Sequence, residues 1–392
     1  MLTRRSTGLA THGDSLDRPR VVRLCTNAQR PLPLRKGEAY LSRGGSLPEG
    51  FAWYLMLGEP HEPDAMLPGV GAVMWLPSTF DYLDDGDVVR LDAARGAISL
   101  LFQKSARHNG FLLTERCNHY CLMCSQPPRN VSDDWIFQDI MDALELVDPK
   151  ASAINFTGGE PTLLGEKLVR LIRQSESFLP DTSLHILSNG RAFTDIEYVR
   201  RIAGIGHHDL MFGIPIYSDL ADIHDYVVQS EGAFDETVRG ILNLKSAGVQ
   251  VEIRVVIHKQ TFDRLPQLAQ FIARNLTFVD QVVFMGLEIT GFTRANLDLL
   301  WIDPIDYQGQ LVEAVECLAD SRINVSVYNH QLCTTDRRIW RYARQSISDW
   351  KNEYMPECEG CVARQECAGF FSSAHIRHSK YITPISERIE LA

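Results

Sequence analysis

The sequence predicts an α/β protein built around a parallel sheet, and three observations carry that prediction. From Gly110 onward, short apolar runs alternate six times with stretches of helical periodicity. The intervening segments are long enough for crossover helices, as parallel neighbours require. Each polar motif also follows a strand: Cys117 the first, Gly158 the second, and Ser188–Asn189–Gly190 the third. Parallel α/β folds place their chemistry at such carboxyl ends. Periodicity leaves an open doubly wound sheet and a partial barrel equally satisfied.

The strands are expected over 111–114, 153–156, 184–187, 210–216, 249–257 and 281–285. Ser132 is placed as the cap of the helix after the first strand, with Asp133 and Asp134 in its first turn, where acidic groups suit the helix dipole. Ile136, Ile140, Leu144 and Val147 then recur at helical spacing. Leu168, Leu171 and Ile172 mark a second helix, and further helices are expected near 196–205, 234–247 and 265–276. Gly248 reads as the stop of the helix carrying Val238, Ile241 and Leu242. A last helix over 305–318 carries Cys317, which reads as packed, and 323–328 resembles a strand.

Four regions are expected: a basic, polar tail over 1–20 read as mobile, a β-rich unit over 21–108, the α/β unit over 109–322, and a cysteine-rich segment over 323–392. The β-rich unit shows short apolar runs at 52–57 and 97–102 between Gly/Pro turns, and Cys25 in it reads as a small buried hydrophobe. It is a candidate for holding a peptide by edge-strand addition, or else a packing cap. The last segment has few periodic apolar positions, a composition that calls for a metal to hold it together.

The net charge of −11 argues against non-specific nucleic-acid binding, and no run of eighteen apolar residues predicts a membrane span. No secretory signal opens the sequence, so a reducing, cytoplasmic setting is expected, with its nine cysteines free or metal-bound.

Six of those cysteines fall in two groups. Cys117, Cys121 and Cys124 form CxxxCxxC within one loop, a spacing poor for disulfides and suited to thiolates converging on a metal. Three thiolates on an iron–sulfur cubane leave one iron open; zinc held with His119 or a distant histidine is the competing reading. Cys358, Cys361 and Cys367, with Cys333 ahead of them, supply four thiolates, a closed set that zinc or a cubane satisfies.

CxxxCxxC followed by Gly158-Gly159-Glu160-Pro161 resembles the radical S-adenosylmethionine (SAM) superfamily. The residue before the third cysteine is often aromatic there and is Met123 here, which can still pack on an adenine ring. The resemblance implies a partial (β/α)6 TIM-type barrel whose SAM-binding [4Fe–4S] cluster is held by Cys117, Cys121 and Cys124. It implies reductive cleavage of SAM to a 5′-deoxyadenosyl radical, with an external electron donor. Gly158, Gly159, Glu160 and Pro161 would then serve the SAM amino group, with Ser188, Asn189, Ser218 and Arg254 as further SAM contacts. His224 and Asp225 resemble a recurring pair of mainly architectural role.

The tail resembles the auxiliary-cluster (twitch/SPASM-like) domain of peptide-modifying members, which implies an auxiliary [4Fe–4S] cluster on Cys333, Cys358, Cys361 and Cys367. The blocks CNHYCLMCSQPP, IPIYSDLADIHDYVVQSEGAFDETVRGI and ISDWKNEYMPECEGC are similar to the His-Xaa-Ser system radical SAM maturases of the HxsC type. That narrower resemblance implies maturation of a ribosomally made peptide with His-Xaa-Ser repeats, beside a second radical SAM protein and a small accessory protein. A small-molecule substrate, or a zinc-stabilised non-enzymatic protein, are the alternatives.

Overall fold

The computed structural model describes residues 5–12, 19–58, 72–345 and 353–387. The chain divides into two compact units, one of 1–113, 133–155 and 173–183, the other of 114–132, 156–172 and 184–392. The units interleave along the chain, and every candidate site residue named above lies in the second.

The first unit carries a mixed eight-stranded sheet. Its strands are β1 (Arg5–Ser6), β2 (Thr11–His12), β3 (Arg20–Cys25), β4 (Glu38–Ser42), β5 (Trp53–Leu57), β6 (Ala72–Leu76), β7 (Val88–Asp92) and β8 (Ala97–Phe102). The order across the sheet is β1-β8-β7-β3-β4-β5-β6-β2. Strands β3 to β6 run parallel in register, so side-chain alternation sends Leu24, Ala39, Trp53 and Ala72 to one face and Cys25, Tyr40, Tyr54 and Val73 to the other. The first row joins the larger core with Met74, Leu91 and Ile98; the second packs with Phe51 and Trp75. Cys25 is buried there, as the sequence suggested.

A mobile tail over 1–20 is not what 5–12 form. Strand β1 pairs with β8 and β2 with β6, at opposite ends of the strand order, with only four residues between them. Five residue steps reach at most about 18 Å, whereas a flat eight-stranded sheet is roughly 34 Å across. The sheet therefore curls until its edges meet, and 5–12 close the seam. Leu9 N–H donates to the Gly96 carbonyl at 2.8 Å and Trp75 N–H to that of Ala10 at 3.0 Å. The seam where a peptide would add by strand pairing is thus taken by the chain itself. Residues 1–4 and 13–18 lie outside the described residues.

A second sheet takes its strands in strict chain order: β9 (Asn109–Leu112), β10 (Ala153–Thr157), β11 (Ser183–Leu187), β12 (Leu210–Pro215), β13 (Gln250–Val256), β14 (Gln281–Met285), β15 (Val325–Tyr328) and β16 (Ala343–Arg344). The pairs from β11 to β16 are parallel. The predicted fold class is found, a parallel partial barrel with a β-rich N-terminal sheet. Strand β15 pairs with β14, so the barrel sheet runs past the expected boundary at 322.

Helices Ile196–Ala203, Ala233–Ser246, Leu265–Asn275 and Gln308–Asp320 fill the expected crossovers. Ile241 and Leu244 of the second are fully buried, each worth about 2 kcal/mol, and Gly248, at φ +80°, terminates it. Helix Asp134–Leu144 begins one residue later than predicted, with Asp133 at the N-cap in place of Ser132. Helix Ala221–Val228 has too few periodic apolar positions to be read from sequence. No helix among the described residues is long and apolar enough to cross a membrane.

Candidate active site

The first cysteine group lies in the loop between β9 and helix Asp134–Leu144, and the second sheet roots it. Gly159 N–H donates to the Thr114 carbonyl and Glu160 N–H to that of Arg116, both at 2.8 Å. The two glycines are required by this contact. A Cβ on Gly158 would lie 2.9 Å from the Thr114 oxygen, and one on Gly159 only 2.1 Å from that of Arg116. Their lack of side chains thus lets the strand end close on the root of the cysteine loop.

Two further elements brace the loop. Tyr120 and Leu122 N–H groups donate to the Val228 and Val227 carbonyls, at the end of helix Ala221–Val228. On the other side, Phe292 N–H donates to the Cys124 carbonyl at 2.8 Å, Thr293 Oγ1 to that of Met123, and Asn296 Nδ2 to that of Leu122. Gly291, at φ +52°, brings its backbone so close that a Cβ would sit 2.3 Å from the Cys124 oxygen. Gly291, Thr293 and Asn296 are site-building residues that the sequence did not reveal, because they follow Cys124 by more than 160 residues. Met123 is buried against Tyr217, Val227 and Leu300.

Glu160 is 1% exposed, and protein donors engage both its oxygens. Thr162 N–H and Oγ1 donate to Oε1 at 2.9 and 2.6 Å, Ser188 Oγ to Oε1 at 2.7 Å, and Asn189 N–H to Oε2 at 2.6 Å. Asn189 Nδ2 in turn donates to Asn118 Oδ1 within the cysteine loop. Burial raises the Glu160 pKa while these donors oppose the shift. Glu160, Ser188 and Asn189 thus form a clasp joining the loops after β10 and β11 to the cysteine loop, with Pro161 buried at the start of the short helix Pro161–Leu164.

Ser218 is fully buried, accepts from Leu220 N–H at 3.2 Å and donates to Asp219, so its hydroxyl is spent on its own turn. His224 accepts from Tyr217 N–H at Nδ1, and Asp225 accepts from Gly232 and Phe234 N–H, an architectural pair as expected. Burial lowers the His224 pKa to about 4. Arg254 projects from β13 and donates to Glu252 and Met285.

Burial pushes the Cys117 thiol up to about 11 and Cys121 higher, and neighbouring thiols and Glu160 add to both shifts. Half-buried thiols gathered in one loop call for a cationic centre that takes them as thiolates. Cys117 Sγ already accepts from His119 N–H at 3.4 Å, a bond that favours thiolate charge. His119 is buried with neither ring nitrogen hydrogen-bonded among the described residues, and burial lowers its pKa to about 3. Among the described residues no three Cys, His, Asp or Glu groups converge closely enough for a single metal ion.

Cys333, Cys358, Cys361 and Cys367 line one cavity with Leu332 and Tyr354. Ile385 N–H donates to Cys361 Sγ at 3.4 Å, and the backbones of Thr383 and Gly369 bond Cys333 and Cys367. Residues 347–352 of the block ISDWKNEYMPECEGC lie outside the described residues. A separate cavity is walled by the strand ends Ile257, Gly286 and Asn329 and by Phe370, Phe371 and Arg377, which follow Cys367. Gln331 Nε2 donates to the Gly369 carbonyl at 2.7 Å, tying its two walls together.

The chain is similar in part to several known proteins. The mycofactocin maturase MftC of Mycolicibacterium smegmatis is 29% identical over 168 residues, 41% of this chain and 40% of that one. The Fe-coproporphyrin III synthase of Methanosarcina barkeri is 24% identical over 187 residues, 46% and 43% of the two chains. The chain thus spans less than half the length of either. Among solved structures, Streptococcus suis SuiB bound to S-adenosylmethionine aligns with a TM-score of 0.47 at 15% identity, over 63% of this chain and 54% of that one. The family model described as the Radical SAM superfamily matches residues 111–272, the stretch that carries the cysteine loop and the Gly158–Pro161 turn.

Proposed function

We propose that this protein is a radical SAM enzyme that modifies a ribosomally made peptide. The observation that carries the reading is the cysteine loop rooted on Gly158–Glu160 at the carboxyl ends of β9 and β10, within the matched domain. Cys117, Cys121 and Cys124 would hold a [4Fe–4S] cluster whose open iron binds SAM. When bound, that cluster supplies the electron that cleaves SAM to a 5′-deoxyadenosyl radical. The chain's own work is to hold the loop in place, partly shield its thiols and position substrate.

Cys333, Cys358, Cys361 and Cys367 would hold an auxiliary [4Fe–4S] cluster; their shared cavity supports this. The cavity between the strand ends and 370–377 is the proposed place of the substrate. Likeness to a maturase supports a peptide, and the quoted sequence blocks favour His-Xaa-Ser repeats. A second radical SAM protein, a small accessory protein and an external electron donor are the proposed partners, in the cytoplasm. A small-molecule substrate is the second reading, favoured by the likeness to a porphyrin-forming enzyme.

Anaerobic reconstitution followed by mass spectrometry tests the proposal. Two clusters predict about eight irons per chain, 5′-deoxyadenosine formation, and a SAM-dependent mass change in a His-Xaa-Ser peptide. SAM cleavage with an unaltered peptide would move the reading to the small-molecule alternative. Iron-free protein with no SAM cleavage would end both.

A further inference from the structure

The barrel interior holds an ionic group of which the sequence singled out only Arg254. His185 lies in β11, Gly213 in β12, Glu252 and Arg254 in β13, and Met285 ends β14. Register sets Gly213 beside Glu252 and Leu187. A Cβ on Gly213 would lie 2.8 Å from His185 Nε2 and 3.0 Å from Arg254 Cδ. The missing side chain on β12 therefore lets the groups from β11 and β13 meet across it.

Arg254 Nη1 donates to Glu252 Oε1 at 2.5 Å, and His185 Nε2 stands 3.5 Å from the same oxygen. The Glu252 side chain is only 5% exposed and that of Arg254 18%. Burial lowers the His185 pKa, leaving Glu252 and Arg254 as the charged pair. A buried pair barely repays its own desolvation, so it calls for a use beyond stability. Arg254 has donors to spare. Besides Glu252, its only partner among the described residues is Met285 Sδ, at 3.2 Å, and a thioether is a weak acceptor. Reaching Met285 also places the guanidinium level with the last residue of β14, at the carboxyl rim.

We propose that Glu252 is a positioning residue: it anchors Arg254 at the rim of the barrel so that the spare guanidinium N–H groups meet the carboxylate of SAM. The inference rests on the SAM-binding reading above. A planar guanidinium held from one side by a carboxylate presents its other edge to a second one. Gly213 is part of the same device, because it leaves room for the Arg254 stem.

The test is SAM binding by calorimetry to the anaerobically reconstituted full chain, without reductant, alongside decarboxylated SAM. Arg254→Ala should weaken SAM about tenfold, the scale of one charge-assisted hydrogen bond. Glu252→Gln should do the same with iron content unchanged, and the double variant should bind no worse than Arg254→Ala alone. Decarboxylated SAM should bind all of these variants alike. Gly213→Ala, which crowds Arg254 without altering charge, should weaken SAM selectively too and serves if Glu252→Gln does not fold. Wild-type affinity in Glu252→Gln, or equal weakening for both ligands, overturns the proposal. Loss of the Arg254 effect alone would leave the SAM reading standing, whereas iron-replete wild-type protein that binds no SAM would sink that reading itself.

Discussion

The two cysteine groups present similar thiols on very different supports. The first hangs from a parallel sheet: strand-end backbone, the Glu160 clasp, the end of helix Ala221–Val228 and the 291–296 segment each hold it. The second sits among short turns such as Pro356–Cys358, with one isolated bridge, between Glu353 and Phe370, and few buried apolar side chains among the described residues. The first loop is thus shaped by the fold before any cluster arrives. Among the described residues the second has fewer ties of this kind, such as the Gln331–Gly369 bond and the Glu353–Phe370 bridge, so its order should depend more on what its four thiols bind.

The largest expected effect is at the second group. Cys358→Ser should expose 353–387 to protease about a thousandfold faster, the equivalent of roughly 4 kcal/mol of local stability, while the barrel's melting temperature stays put. Limited proteolysis with mass mapping reads this directly. Equal resistance in the variant would show that the turns hold themselves and erase the contrast.

Next comes the root of the first loop. Gly159→Ala drives a Cβ into the Arg116 carbonyl, which backbone cannot readily vacate, and should cost about 3 kcal/mol in urea unfolding. On the proposed two-cluster reading, iron at the first site should fall while iron at the second is retained. Loss of both together would mean that the second group leans on the first.

Acid should act on the first support more gently. His224 accepts from Tyr217 N–H as a neutral ring, and its pKa is lowered by burial to about 4. Above pH 6.5 both folded and unfolded forms are neutral and nothing changes. Below it the unfolded chain takes the proton first, so stability falls until the folded ring also protonates near pH 4. At pH 5 the loss from this residue is about 2 kcal/mol. His224→Gln keeps an acceptor for Tyr217 and should flatten that part of the pH dependence of unfolding; an unchanged acid limb would place the sensitivity elsewhere.

What the sequence disclosed follows the same divide. The strands from β10 to β14 and, Ala221–Val228 apart, the helices between them were readable because a buried parallel sheet writes its period into the chain, as in Val251, Ile253 and Val255. The cysteine and Gly-Gly-Glu-Pro motifs were readable because they are local. The 5–12 seam was not, since two-residue strands carry no periodicity and their partners lie more than sixty residues away. Nor was the role of Glu160 legible. The family resemblance implied a contact to the SAM amino group, and only the fold adds Thr162, Ser188 and Asn189 as its protein partners. Gly291 and Asn296 support Cys124 and Leu122 across a long sequence gap, beyond any local pattern.

The smallest effect separates the clasp from its neighbours. Ser218, named from sequence as a SAM contact, is sealed in a turn whose Asp219 carboxylate is held by both Nε and Nη2 of Arg264. Ser218→Ala should cost about 1 kcal/mol, the worth of the hydroxyl that Leu220 N–H donates to, and should leave SAM affinity within about twofold. Ser188, whose hydroxyl donates to Glu160, should behave differently, because Ser188→Ala leaves a buried carboxylate oxygen one donor short and slackens the link to the cysteine loop. Calorimetry on the pair therefore asks whether SAM affinity tracks strand-end polarity in general or the clasp in particular. A tenfold loss in Ser218→Ala would show that its turn opens to meet the ligand.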